Sequence, residues 1–266
     1  MKNLFALIFL SIITITFVPL CYSQHTLIYL KTFGNAGTNP GEFNLCLSSY
    51  ITHDDVYIYI CDTNNNRIQK FNINGDFIAW FGYQELSTEG PVVDGLYVNN
   101  FGWYTTGTPD TGFILPENCV YAGFEIDSSG NMYILANGYD VWKFDSSGTF
   151  IKKIVLDFYY PQVFTIDNLG SLFVKKDPST YAKYDEDGNE LFVFGGFGSA
   201  DGKFGDIGSV IRMHCDSSGN IYILDWDNDR IQVFNNEGLF LRKWFPNASS
   251  GVAPIKPDTV IELNKT

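Results

Sequence analysis

Apolar and polar residues alternate along Asn220 to Phe234 (NIYILDWDNDRIQVF) and again along Tyr57 to Phe71 (YIYICDTNNNRIQKF). Each stretch reads as an apolar strand, a tight polar turn that carries Asp and then Arg, and a second strand with apolar residues at every other position. That is half of a four-stranded antiparallel unit. The aromatic residue at the centre of the second strand of such a unit recurs at Tyr59, Tyr97, Tyr133, Phe173 and Tyr222. Runs with large apolar residues beside polar ones supply the fourth strands: Asp76 to Gly82, Thr149 to Ile154, Glu190 to Gly195 and Leu239 to Phe245. The pattern suits a half-exposed sheet edge.

Turn chemistry agrees with this division. Asp127 to Gly130, Asn168 to Gly170 and Asp216 to Gly219 fall between first and second strands. Asn74-Gly75, Asp145 to Gly148, Asp187-Gly188 and Glu237-Gly238 fall between third and fourth. Glycine supplies the positive φ that closes such hairpins, while Asp and Asn bond their own backbone. Five units repeating at about 36 to 49 residues, with short strands throughout, predict an all-β chain of propeller blades. The unit around Gly95 to Tyr104 rests on spacing. Thr26 to Gly34 reads as one more fourth strand and Ile255 to Leu263 as one more first strand, so the expected ring has five to six blades. An incomplete six-bladed ring closed from both chain ends would bury two exposed edges.

Composition narrows the setting. A chain of 266 residues that is 45% apolar and 17% aromatic has the material for a large β core in one domain, residues 24–266. Its acidic balance, 30 Asp and Glu against 17 Lys and Arg, repels polyphosphate, so nucleic acid is not an expected partner. Lys2 precedes the apolar run Leu4 to Val18, Pro19 breaks it, and Cys21 and Ser23 set a cleavage site before Gln24. Residues 1–23 therefore read as a secretory signal peptide, with no membrane span after cleavage and an extracellular or periplasmic location. In an oxidising compartment Cys46, Cys61, Cys119 and Cys215 can be disulfides or buried thiols, with no pairing specified.

The run Asp-x4-Arg-Ile-Gln-x-Phe at Asp62 to Phe71 and at Asp225 to Phe234 resembles the NHL repeat, as does Gly-x-Phe at Gly41 to Phe43 and at Gly202 to Phe204. The resemblance covers most of residues 26–245. It implies a β-propeller, commonly six-bladed. Two units depart from the motif: Ala136 stands where it has Asp, and Asp140 or Tyr181 stands near where it has Arg.

In an up-and-down blade the loops joining strands two and three emerge with the blade-to-blade loops on one face. Binding is expected there. That face is assigned Trp226, Tyr159 and Tyr160, with Trp103 and Tyr104, as aromatic anchors for a protein or carbohydrate ligand. The competing reading is that these rings cover blade joints. Secreted propellers resembling this one also include metal-dependent lactonases and amidating lyases, so a divalent-metal hydrolase or lyase with its site in a central channel is the alternative function. Only His25, His53 and His214 are at hand, His25 at the start of the mature chain and His53 in a turn, which argues against a shared zinc. Asp225-x-Asp227-x-Asp229 has the look of a calcium loop but lacks its Gly and its distant Glu, so its carboxylates are assigned to the turn and to Arg230. Ser or Cys nucleophiles lack a His base, and Asn247 and Asn264 head glycosylation sequons. The expectation is a monomeric binding scaffold without a cofactor.

Overall fold

The computed structural model describes residues 4–9, 14–19, 31–45, 50–54, 56–84, 86–87, 89–94, 96–109, 123–136, 140–156, 163–205 and 212–245. The fold is all-β, and its main sheets are antiparallel blades of the β-propeller kind. Two compact units divide the chain: residues 35–162 with 185–189, and residues 1–34, 163–184 and 190–266.

In the first of these units one blade runs Ile51–His53, Tyr57–Asp62, Arg67–Asn72 and Phe77–Tyr83, and the next runs Phe124–Ile126, Met132–Ala136, Asp140–Phe144 and Phe150–Val155. Their first strands adjoin, and the two sheets close on a core that includes Tyr59, Ile68, Phe81, Phe124, Trp142 and Phe144. The rings interlock at steep angles. Phe81 meets Phe144 at 4.9 Å and 70°, the edge-to-face arrangement that aromatic quadrupoles favour.

The other unit repeats the scheme. A third blade runs Phe164–Ile166, Leu172–Lys175, Thr180–Tyr184 and Glu190–Gly195, and a fourth runs Met213–Cys215, Ile221–Asp225, Arg230–Phe234 and Phe240–Trp244. Phe173, Tyr181, Phe204, Ile223 and Phe234 share their core. In every blade the register slips by one residue just before the turn between third and fourth strands, at Lys70/Phe71, Lys143/Phe144, Lys183/Tyr184 and Val233/Phe234. A glycine with positive φ closes each of these turns, Gly238 at 73° for example. The bulge and the glycine together are the three-to-five-residue hairpin solution that keeps strand twist right-handed.

The unit expected around Gly95 to Tyr104 is not a blade. Leu96–Tyr97 pairs with Val92–Val93, and Phe101–Tyr104 adds a fifth strand to the outer edge of the first blade. Gly102 sits opposite Gly82 there, and the rings of Phe101 and Trp103 turn into the first core, so these apolar residues are satisfied without a blade of their own. Four blades, rather than five or six, are present among the described residues. His53 ends a first strand instead of occupying a turn. Of Thr26 to Gly34, residues 31–34 form no strand and the rest lie outside the described residues, as does Ile255 to Leu263. Leu4–Phe9 and Thr14–Pro19, within the proposed signal peptide, pair with each other. No helix among the described residues is long and apolar enough to cross a membrane.

Candidate functional site

The fourth blade turns from its second to its third strand through a single 3-10 turn, Trp226–Asn228, followed by Asp229 in the left-handed region at φ 49°. Asp tolerates that conformation better than most side chains. The turn sets Asp225 opposite Arg230 in register. Asp225 Oδ2 accepts from Arg230 Nε at 2.7 Å, Gln232 Nε2 at 3.0 Å and Asn228 Nδ2 at 3.0 Å, all at buried side chains except Asn228, which is half-buried. A buried ion pair of this kind is favourable only when its remaining hydrogen-bonding capacity is filled. Here the preceding loop fills it.

Arg230 donates to the carbonyls of Ser199, Ala200 and Lys203 at 2.9, 2.8 and 2.7 Å. Gln232 donates to Lys203 O at 2.7 Å and accepts from Gly202 N at 2.9 Å. Asn228 reaches Gly198 O at 3.1 Å, and Gly205 N reaches Asp225 Oδ1 at 3.2 Å. Residues 198–205 are thus laced to one carboxylate, one guanidinium and two carboxamides. Phe204 seals the arrangement from beneath, 5.6 Å from Phe234 and 4.6 Å from Tyr181.

The first blade contains the same frame. Arg67 Nε meets Asp62 at 2.8 Å, and its Nη2 donates to Asn39 O and Glu42 O at 2.7 and 3.0 Å. Gln69 donates to Glu42 O and to Asp62, and accepts from Gly41 N at 2.8 Å. Asn65 reaches Gly37 O, and Asn44 N reaches Asp62. A short parallel contact repeats as well, Ala36 with Phe43 in one loop and Phe197 with Phe204 in the other. What the two frames carry is different. Ala36 and the buried Thr63 occupy the places where the fourth blade's frame has Phe197, 72% exposed, and the half-buried Trp226.

Of the aromatics assigned to a binding face, Trp226 lies on such a corner. Trp103 does not: it belongs to an edge strand and packs on Tyr59 and Phe81 at 6.0 and 5.5 Å, with Lys70 Nζ 5.3 Å from its ring. The fifth strand directs its half-buried ring onto the first core. Tyr104 lies 4.7 Å from Trp80 and donates to Asn100 O. Tyr159 and Tyr160 lie outside the described residues. Asp225 is consumed by Arg230 and the loop, while Asp227 and Asp229 are exposed. No group of three or more His, Cys, Asp or Glu that could hold a metal occurs among the described residues. His53 and His214 sit on first strands of different blades, Cys61 and Cys215 are buried, and Cys46 and Cys119 lie outside the described residues.

Sequence reasoning missed Phe197. The glycines on either side of it, Gly196 and Gly198, both with positive φ, are the signal that could have found it. It also missed a pairing repeated in three blades: the second-strand ring lies under a lysine directly across the ladder, Tyr59 with Lys70, Tyr133 with Lys143 and Phe173 with Lys183. Burial pulls Lys70 below its ordinary pKa and pushes Tyr59 and Tyr133 above theirs.

Several solved structures are similar to the chain. A streptogramin B lyase structure is 14% identical at a TM-score of 0.47, aligning 84% of this chain with 60% of that one. A catalytically inactive virginiamycin B lyase from Staphylococcus aureus, solved with quinupristin, is 13% identical at a TM-score of 0.45, over 93% and 71% of the two chains. A protein of unknown function from Bacteroides caccae is 10% identical at 0.44, over 94% and 96%. Similarity at this level concerns the fold alone, and the chain spans less than two thirds of the first of these proteins. No protein-family model matches the chain, and no curated protein matches it.

Proposed function

We propose that this chain is a secreted NHL-type propeller protein acting as a binding scaffold, which takes a protein or carbohydrate ligand on the loop face at Phe197 and Trp226. The NHL assignment is supported by Asp-x4-Arg-Ile-Gln-x-Phe in two blades, whose Asp, Arg and Gln form one connected hydrogen-bonded frame in each. One observation carries the binding assignment. The frame of the first blade forms without a large aromatic, so Phe197 and Trp226 are not required to build it. A Phe left 72% exposed on a loop that seven hydrogen bonds hold in place costs solubility and gives the fold nothing. Rigid aromatic anchors of this sort give contact area at little entropic cost, whether the ligand is a peptide surface or the apolar face of a sugar.

The test is a glycan array and a displayed peptide library, each probed with purified wild-type chain and with the double variant Phe197→Ala/Trp226→Thr. Ligands selected by the wild type should lose at least about tenfold in affinity in the variant, as hot-spot aromatics do. Undiminished binding of all selected ligands would move the site elsewhere.

A further inference from the structure

The forward face of the fourth blade is built as a blade joint. In the first blade, Tyr59, Cys61, Ile68 and Phe81 occupy one face through the register Tyr59 to Lys70 and Cys61 to Ile68 to Phe81. All four are buried, Ile68 and Phe81 completely, against the second blade. The third blade's Tyr181 is likewise buried, and Phe194 lies 5.1 Å from Phe234 of the fourth blade. By the same register the fourth blade presents Tyr222, Leu224, Ile231 and Trp244. Here Ile231 is 37% and Trp244 45% exposed, and Tyr222 stacks on Trp244 at 5.8 Å and 20°. The lysine that covers the central ring elsewhere is replaced by Val233, and Arg242 of the outer strand approaches Tyr222 Oη and the Trp244 ring instead. No further blade follows among the described residues.

We propose that residues 246–266 of this same chain dock on this face. The segment leaves the outer strand of the face itself, directly after Phe245. Crossing a four-stranded blade takes about 15 Å, roughly five extended residues, and more than that separate Phe245 from Ile255. Beyond this point the segment alternates: Ile255, Pro257, Thr259, Ile261 and Leu263 fall on one side of an extended chain, Lys256, Asp258 and Glu262 with Val260 on the other. That gives an apolar stripe for Ile231 and Trp244. The inference is independent of the ligand proposed above.

The experiment is hydroxyl-radical footprinting of Trp244 in the full chain, read by mass spectrometry at two protein concentrations, for the wild type and for Ile261→Asp. Docking predicts slow oxidation of Trp244 in the wild type at both concentrations and an increase of about threefold in Ile261→Asp, with Trp80 unchanged as the internal control. Trp80, buried in the first blade, reports whether the variant keeps the blade packing, and Thr259→Asp provides a second reading. Equal oxidation in wild type and variants would overturn the proposal. So would protection that appears only at the higher concentration, which would assign the face to a second copy.

Discussion

The corners of the first and fourth blades hold the same bonds and display different side chains. Asp62, Arg67 and Gln69 engage the loop before the first blade as Asp225, Arg230 and Gln232 engage the loop before the fourth, carbonyl for carbonyl. One difference is internal. Arg230 Nη1 finds Ser199 O, whereas Arg67 Nη1 is buried without a partner among the described residues. The other is external, Phe197 and Trp226 against Ala36 and Thr63. The frame and its display therefore vary independently, which is what lets a repeat architecture place chemistry at one corner and leave another plain. The third blade shows a third solution. Lys176 and Thr180, joined by a backbone hydrogen bond of 2.9 Å, stand where the other two have Asp and Arg, while Lys175 and Tyr181 are the pair just before the turn and Tyr181 presses its ring on Phe204, 4.6 Å away.

Removing the guanidinium tests the frame most severely. Arg230→Ala leaves Asp225 buried without its counter-charge and strips carbonyls of their donor, and should cost about 3–5 kcal/mol in urea unfolding. Arg67→Ala should cost about 1 kcal/mol less, since one fewer hydrogen bond is lost. Equal costs would mean that Nη1 of Arg230 contributes nothing. Next in size is Gln232→Ala, which orphans Gly202 N and takes from Lys203 O one of its two donors, for about 1–3 kcal/mol by the same measurement.

Much of this frame could be read in advance, and the reason is local. Asp225 and Arg230 are near neighbours in sequence, so a turn motif carries both members of the pair. The partner loop is not local: Gly41 is 28 residues from Gln69, and nothing in either segment names the other. The same limit explains the mistaken unit at Gly95 to Tyr104. Tyr97 kept the period, but spacing alone cannot show whether a strand finds partners in a new blade or, as Phe101–Tyr104 does, on the edge of an old one. The packing of Trp103 on Tyr59 and Phe81 was hidden for the same reason, since ring direction depends on which face of the sheet the strand joins. Phe197 escaped because a single exposed Phe has no periodicity to betray it.

Alkaline pH separates the third blade from the first and fourth, which have Cys61 and Leu224 where it has Lys175. Burial lowers Lys175 to about 8, with Asp177 pulling the other way. An amine whose folded pKa is below its unfolded value binds fewer protons in the native state between the two, so stability should rise from pH 8 toward 10. Above that, Tyr59, Tyr133 and Tyr181, raised by burial, hold protons that the unfolded chain releases, and stability should fall. Lys175→Met should remove most of the rise between pH 8 and 10 while retaining the fall, the remainder belonging to Lys70, which burial also lowers; an undiminished rise would overturn the assignment to Lys175. The smallest effect is expected where the display alone is changed. Trp226→Thr copies Thr63 and should shift unfolding by less than about 0.5 kcal/mol; a larger loss would mean that this ring belongs to the frame after all.

The lacing of each corner also dictates an order of assembly. The bonds that fix residues 198–205 come from Asn228, Arg230 and Gln232, about thirty residues downstream, and none can form before the second and third strands of the fourth blade have paired. During refolding the amides of Gly202 and Gly205 should therefore gain protection from exchange after those of Ile223 and Ile231, and only as a group. A corner held in this way is slow to form but also slow to open, because a protease or solvent that reaches the loop must first unzip a ladder two strands deep.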